Sequence, residues 1–95
     1  MVIAQLTMFP TDQGISVGSY VKKAVDRIRE SGVKVIPGAM STTFETETLE
    51  EVFSIVQAAR DELSKSGCKR IYLSLTVDER VDKPASMETK INRIS

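Results

Sequence analysis

The chain has 95 residues, and its 13 basic residues balance its 13 acidic ones, so the formal net charge is zero. This length allows one domain, residues 1–95, which buries only about 60–70% of the surface of its unfolded chain, so subunit contacts could add stability. This balance of charges excludes nucleic-acid binding by charge alone. The single cysteine excludes an internal disulfide, and the absence of histidine argues against a metal site.

The first ten residues, MVIAQLTMFP, lack the cationic start and small-residue cleavage site of a secretory signal. No apolar stretch approaches the roughly 20 residues that a membrane-spanning helix needs. A cytoplasmic protein is therefore expected.

The N-terminal third predicts a strand and then a helix. Apolar residues alternate through residues 2–9, as in a half-buried strand that ends at Pro10. Ser16 is a candidate N-cap, and an apolar stripe then predicts a helix over residues 17–31 that ends at Gly32.

Two short strands are predicted next, at residues 33–39 and 40–47. Pro37 cannot donate to a β-ladder, so the first of them either lies at a sheet edge or ends there. Proline and glycine just before the second strand suggest a hairpin, although the turn type does not follow from the residues.

A second helix begins at Thr48, which forms a capping box with Glu51, and ends at Gly67. A fourth strand follows at residues 70–78, and the tail, residues 86–94, has Met87, Ile91 and Ile94 at helical spacing. The predicted apolar stripe of the second helix consists of Leu49, Val52, Phe53, Val56, Ala59 and Leu63.

The element order β-α-β-β-α-β predicts an α+β, ferredoxin-like sandwich with a four-stranded antiparallel sheet and a short C-terminal helix. The two main helices cover one face of the sheet. The other face, which the tail alone could cover, is expected to bind a ligand or another subunit. Its predicted residues are Gln5, Thr7, Tyr72, Ser74 and Thr76.

The segment GAMSTTFETETLEEV, residues 38–52, leads from the end of one predicted strand into the second helix and is rich in hydroxyl groups. Threonine suits strands and caps, so these residues have a purely structural interpretation. Glu45 is harder to explain in that way, because an isolated buried carboxylate is costly. Alternation along a strand places Ser41, Thr43 and Glu45 on one face and Thr42 on the other.

The run GAMSTTFET resembles the signature of the small YkoF-like thiamine-binding family, whose members carry a Met–small–Thr–x–apolar–Glu segment at this place. The segments SYVKKAV, SGCKRIYLSL and METKINRI agree with the same family, so the similarity spans nearly the whole chain. Thr46 and Thr76 depart from the family pattern, where Gly and Lys are common.

The resemblance implies a ferredoxin-like subunit that binds thiamine (vitamin B1) or its hydroxymethylpyrimidine moiety without catalysis, for salvage, buffering or delivery. It implies a homo-oligomer, a dimer or tetramer, that has no cofactor other than thiamine as the bound ligand. Ser41, Thr43 and Glu45 are the predicted ligand residues by spacing, and Thr42 joins them through the resemblance alone.

Three other functions compete with this interpretation. A purely oligomeric structural or regulatory module would have its open face filled by another subunit. An RNA-binding sheet would need exposed aromatic and basic residues on its central strands, and no such basic run is present. An enzyme would need a nucleophile and a base. Cys68 lies beside Lys69 and Arg70, which would favour a thiolate, but no base accompanies it, so a small residue in a turn is the favoured interpretation of Cys68.

Overall fold

The computed structural model describes residues 1–95. Its elements follow the predicted order, with one helix added at the C-terminus: β1 Val2–Pro10, α1 Gly18–Glu30, β2 Lys34–Pro37, β3 Thr42–Thr46, α2 Leu49–Lys65, β4 Ile71–Glu79 and α3 Met87–Ile94. The four strands form one antiparallel sheet in the order β2-β3-β1-β4. The ferredoxin-like α+β prediction, including the short C-terminal helix, is therefore confirmed.

The strand register separates the sheet into two faces. Ala4 of β1 lies between Phe44 of β3 and Val77 of β4, and these three side chains point toward α1 and α2, on the helix face. The next residues along the strands point to the opposite side, the outer face. The outer face consists of Ile3, Gln5, Thr7, Phe9, Lys34, Ile36, Thr43, Glu45, Tyr72, Ser74, Thr76 and Asp78.

The core lies between the helix face and the two long helices. Its largest fully buried apolar side chains come from both layers: Phe44, Ile28, Leu63, Val2 and Val52. Each such side chain contributes on the order of 1.5–3 kcal/mol through burial. α3 lies on the other side of the sheet, where Met87 is its one buried residue.

The two long helices begin differently. The predicted cap of α1 at Ser16 is wrong: the N-cap residue is Val17, without a side-chain hydrogen bond, and the N–H groups of Tyr20 and Val21 donate to the Val17 carbonyl. The predicted cap of α2 is confirmed, because the Thr48 hydroxyl accepts the Glu51 N–H at 3.2 Å. The Glu51 carboxylate accepts from that hydroxyl and not from the Thr48 N–H, so the second bond of the predicted capping box is not formed.

The predicted apolar stripe of α2 contains one error. Phe53 is 55% exposed, whereas Ile55, outside the predicted stripe, is buried. Ile55 follows Val52 by three residues and precedes Ala59 by four, so helical spacing places all three on the side that faces the sheet.

None of the helices combines the length and apolar character that crossing a membrane requires.

Candidate functional site

A cavity of about 290 Å³ lies between α1 and the C-terminal end of β1, beneath the β2–β3 turn. Apolar side chains form most of its wall: Val21 and Val25 come from α1, Val17 is the N-cap of that helix, and Leu6 and Met8 come from the helix face of β1. Residues 38–42 close one side of it. No charged residue lines this cavity, so its interior suits a neutral, flat group.

The turn that closes the cavity is tightly built. Ala39 and Met40 form a two-residue connection, and the Gly38 N–H donates to the Ser41 carbonyl at 2.8 Å. A Cβ atom at residue 38 would lie 2.9 Å from that same oxygen, so this close approach requires glycine. Neither connecting residue has a positive φ, which excludes the mirror-image turns common in two-residue hairpins.

Hydroxyl groups lie where the cavity meets the outer face. The Thr7 hydroxyl donates to the Met40 carbonyl at 3.2 Å, which ties the turn to β1. The Ser41 hydroxyl accepts a hydrogen bond from the Gln5 side-chain amide at 2.9 Å. Thr42 is buried and lies on the helix face, and like Thr7 and Ser41 it lines the cavity.

The other two predicted ligand residues lie elsewhere. Register places Thr43 opposite Gln5 and Ile36 on the outer face, and it is half-buried there. Glu45 is on the same face but only 7% exposed, because its carboxylate accepts the Met87 N–H at 2.9 Å. Neither residue lines the cavity.

Glu45 therefore meets the N-terminus of α3, where unpaired N–H groups and the helix dipole favour a negative charge. At the N-cap of α3, the Ser86 hydroxyl accepts the Thr89 N–H, so this cap and the Glu45 carboxylate both bind N–H groups of the first turn. The four predicted ligand residues thus divide into two pairs. Ser41 and Thr42 line the cavity, while Thr43 and Glu45 lie on the outer face.

Two exposed ion pairs join the rest of α3 to the sheet. Lys34 of β2 lies 3.7 Å from Glu88, and Lys90 pairs with Asp78 of β4. With Glu45 of β3, these contacts reach three strands at one end of the outer face. The remainder of that face has no helix over it, as the sequence predicted.

Cys68 takes no part in the cavity. Burial, and then the negative charge of Asp12, raise the pKa of its thiol above the ordinary value, while Lys23 lowers it to a smaller extent. The suggestion that neighbouring cations favour a thiolate is therefore wrong. Cys68 is protonated at neutral pH and is a poor nucleophile.

Sequence reasoning missed the walls of the cavity. The apolar stripe predicted over residues 17–31 includes Val17 and Val21, yet both are only half-buried and line the cavity. The run of small residues at Gly38 and Ala39 was the one available signal, because small residues let the backbone come close to a ligand or another segment.

The fold and the cavity define a class: a small ferredoxin-like α+β protein with a neutral, mostly apolar cavity at one end of its sheet. Residues 4–95 match the model of the thiamine-binding protein family. The chain belongs to that family, which confirms the resemblance found in the sequence.

Two archaeal relatives match almost end to end. A UPF0045 protein of Methanothermobacter thermautotrophicus is 30% identical over 95 residues, covering 99% of this chain and 96% of that protein. The UPF0045 protein MJ1052 of Methanocaldococcus jannaschii is 33% identical, and its crystal structure has a TM-score of 0.88, covering 98% of this chain and 94% of that one.

A third comparison concerns Thermotoga maritima. The crystal structure of a candidate thiamine biosynthesis/salvage protein from that organism has a TM-score of 0.84 at 23% identity, covering 99% of this chain and 98% of that one. At this level of identity the likeness supports the fold.

Proposed function

We propose that this protein binds thiamine, or its hydroxymethylpyrimidine moiety, without catalysing a reaction. The cavity of about 290 Å³ carries the proposal, because a mostly apolar wall with hydroxyl groups at one side fits an aminopyrimidine ring. Membership of the thiamine-binding protein family supports the same ligand class.

The chemistry of the lining matches the ligand. An aminopyrimidine has an exocyclic amine that donates hydrogen bonds and ring nitrogens that accept them. A hydroxyl group can donate and accept, so Ser41 and Thr42 can serve both kinds of ligand atom. The valine side chains on the α1 side, with Leu6 and Met8 of β1, supply the apolar surface against which the pyrimidine packs.

The thiazolium ring of thiamine carries a positive charge, for which the cavity provides no counter-charge. We place this ring at the mouth of the cavity, where water solvates it.

An alternative placement puts the ligand on the outer face of the sheet, with Thr43 and Glu45 as its contacts. Glu45 must then give up the Met87 N–H or share its carboxylate between α3 and the ligand.

The groups that line the cavity support a non-catalytic role, since none of them is a carboxylate, an amine or a thiol. A hydroxyl group without an adjacent base is a weak nucleophile. The proposed role is therefore salvage, buffering or delivery of the ligand in the cytoplasm. Thiamine itself is the ligand and no further cofactor is needed.

Self-association is the second part of the proposal, as a dimer or a tetramer. Several large apolar side chains stand exposed on the single chain, including Tyr72, Ile91 and Ile94. A partner subunit would cover such residues. The neutral net charge gives no support for a nucleic-acid partner.

The decisive variant is Thr42→Val, which removes a hydroxyl and nearly preserves the shape of the side chain. We expect calorimetry to show thiamine or hydroxymethylpyrimidine binding to the wild type about tenfold more tightly than to this variant, the value of one hydrogen bond. The matched control is Thr43→Val, one residue along β3 and on the opposite face, which is expected to bind as the wild type does.

Two outcomes would contradict the proposal. Weaker binding by Thr43→Val and Glu45→Gln, with Thr42→Val unaffected, would move the ligand to the outer face. The absence of both heat and thermal shift with either compound at millimolar concentration would leave only the purely oligomeric structural or regulatory module.

A further inference from the structure

A second concave site lies between the C-terminal half of α2 and the start of β4. This cleft has a volume of about 520 Å³. Its side chains come from three segments: Arg60 and Ser64 belong to α2, Lys69 to the connection after that helix, and Ile71 and Leu73 to β4. None of them lines the cavity described above, so the cleft is a separate site.

The floor of the cleft is apolar and its rim is polar. Ile71 and Leu73 are alternate residues of β4, so both lie on the helix face. Leu73 is 41% exposed and Ile71 is half-buried, which leaves part of this apolar floor open to solvent. Arg60 and Ser64 are four residues apart on α2, so helical spacing places them on one flank, beside that floor.

The lining of the cleft carries positive charge only. Arg60 and Lys69 are cationic, and no carboxylate lines the cleft. The remaining lining residues, Gly67 and Cys68, add no charge, because burial raises the pKa of the Cys68 thiol and keeps it protonated at neutral pH. The cleft therefore differs from the cavity, which has no charged lining, and favours an anion.

The polar side chains of the rim have hydrogen-bond donors to spare. The Lys69 ammonium takes part in no ion pair. The Arg60 guanidinium donates to the Asp61 carboxylate at 2.9 Å, and its other N–H groups remain available. The Ser64 hydroxyl is a third donor. A guanidinium, an ammonium and a hydroxyl together suit the several oxygens of a phosphate group.

The main chain at the cleft has no free donor. The N–H groups of Gly67 and Cys68 donate to the carbonyls of Ser64 and Leu63. The Lys69 N–H donates to the Asp12 carboxylate at 2.8 Å, and Asp12 does not line the cleft. These bonds fix the connection between α2 and β4, so an anion in the cleft must be held by side chains. Substitution of those side chains tests the site directly.

We propose that this cleft binds a small phosphate monoester, with its phosphate between Arg60 and Lys69 and its organic group against Ile71 and Leu73. A phosphate monoester carries a charge of about −1.5 to −2 at neutral pH, which matches two cationic side chains better than a single carboxylate does. The apolar floor leaves a place for the organic group. The site does not depend on what the cavity binds.

The first test compares phenyl phosphate with inorganic phosphate. Chemical shifts of the amides of residues 60–73 report binding in ¹H–¹⁵N spectra. We expect phenyl phosphate to bind at least about fivefold more tightly than inorganic phosphate, because its ring covers apolar surface on the floor. Its affinity should fall as sodium chloride is raised from about 20 to about 200 mM, since salt screens exposed charges. Equal affinities would indicate an adventitious ion only.

The second test removes one cation from the lining. Lys69→Gln is expected to weaken phenyl phosphate binding about tenfold, the value of one charge-assisted contact. Arg70→Gln is the matched control, because it removes the same charge at the next residue, which is exposed and does not line the cleft. Its affinity should equal that of the wild type.

The third test increases affinity. Asp61→Asn removes the carboxylate that competes for the Arg60 guanidinium, so phenyl phosphate should bind about threefold more tightly. Glu62→Gln changes the net charge by the same amount at the neighbouring residue, which does not pair with Arg60, and should have no effect.

Three outcomes would overturn the proposal. The amides of residues 60–73 could remain unshifted at about 10 mM phenyl phosphate. Lys69→Gln and Arg70→Gln could weaken binding equally, or Asp61→Asn and Glu62→Gln could strengthen it equally, which would indicate net charge and not a site. The same spectra show whether each variant is folded. None of these experiments uses thiamine, so their failure is distinct from a failure of the proposed function.

Discussion

At the scale of single residues, the burial of the Cys68 thiol affects its pKa more than the charged residues that follow it in sequence do. Lys69 and Arg70 follow Cys68 directly, but both are exposed, whereas the Cys68 side chain is buried beside the end of α2. Burial penalises the charged thiolate, and Asp12 adds to that penalty, so the pKa of the thiol rises. Thr42 and Thr43 show the same dependence on the fold, because these neighbours in sequence lie on opposite faces of the sheet.

The raised pKa of Cys68 predicts a dependence of stability on alkaline pH. Because the folded-state pKa lies above that of the unfolded chain, the native state holds its proton longer as pH rises. The stabilising contribution is fully present below the ordinary thiol pKa and is lost as pH rises through the folded-state value. Stability is therefore expected to fall above about pH 8.5.

Urea unfolding at pH 7.5 and pH 10 measures this effect, with Cys68→Ala as the reference that lacks the titrating group. The wild type should lose more free energy of unfolding between the two pH values than the variant does. Equal losses in the two proteins would show that other groups, such as lysines, account for the alkaline behaviour.

At the scale of elements, α3 depends on one carboxylate of the sheet. Glu45 accepts the first N–H of the helix, and the ion pairs of Lys34 and Lys90 are exposed, so they contribute little. Met87 is buried, while Ile91 and Ile94 remain exposed, so apolar packing holds only the start of the helix. α3 is therefore expected to be the least stable element.

Glu45→Gln keeps the size of the side chain and removes its charge. We expect the variant to weaken α3 docking by about 1–1.5 kcal/mol, which is the value of a charge-assisted bond at a helix N-terminus. Hydrogen exchange of the α3 amides should accelerate about tenfold, while the core strands exchange as in the wild type. Glu47→Gln, at an exposed position two residues later, should have no effect.

A loss of α3 protection in both variants would indicate a general effect of negative charge and not the Glu45 contact. Unchanged protection in Glu45→Gln would show that Met87 and the ion pairs suffice to hold the helix.

Several features of the strands and helices could be predicted from local sequence patterns. Period-two alternation predicted that Ser41, Thr43 and Glu45 share a face, and the register confirms this geometry for Thr43 and Glu45. Glycine ends both long helices, with positive φ at Gly32 and Gly67, as predicted. These are local properties, which a sequence encodes within a few residues.

The wrong or missed predictions concern contacts between segments that are far apart in the sequence. Phe53 was assigned to the core because it is large and apolar, but the direction of α2 over the sheet turns Ile55 inward. The partner of Glu45 is 42 residues away, at Met87, and no local pattern relates the two. The cavity likewise needs α1, β1 and the turn at residues 38–41 to be assembled before it exists.

At the scale of the whole molecule, the fold leaves apolar surface that its own core cannot cover. The large apolar residues exposed on the single chain include Phe53, Leu73, Tyr72, Ile91 and Ile94. A domain of 95 residues has a small net stability, on the order of 5–10 kcal/mol. Covering part of that surface in the proposed self-associated state would therefore be a large contribution relative to the total.

This dependence predicts that thermal stability rises with protein concentration. Mass action favours the folded dimer over two unfolded chains as concentration increases. With about 0.7 kcal/mol of unfolding enthalpy per residue, the midpoint of a dimer of this size should rise by about 4 °C for each tenfold increase. Calorimetric scans of the protein from 5 to 500 µM measure this shift, and a midpoint independent of concentration would show that the single chain carries its full stability alone.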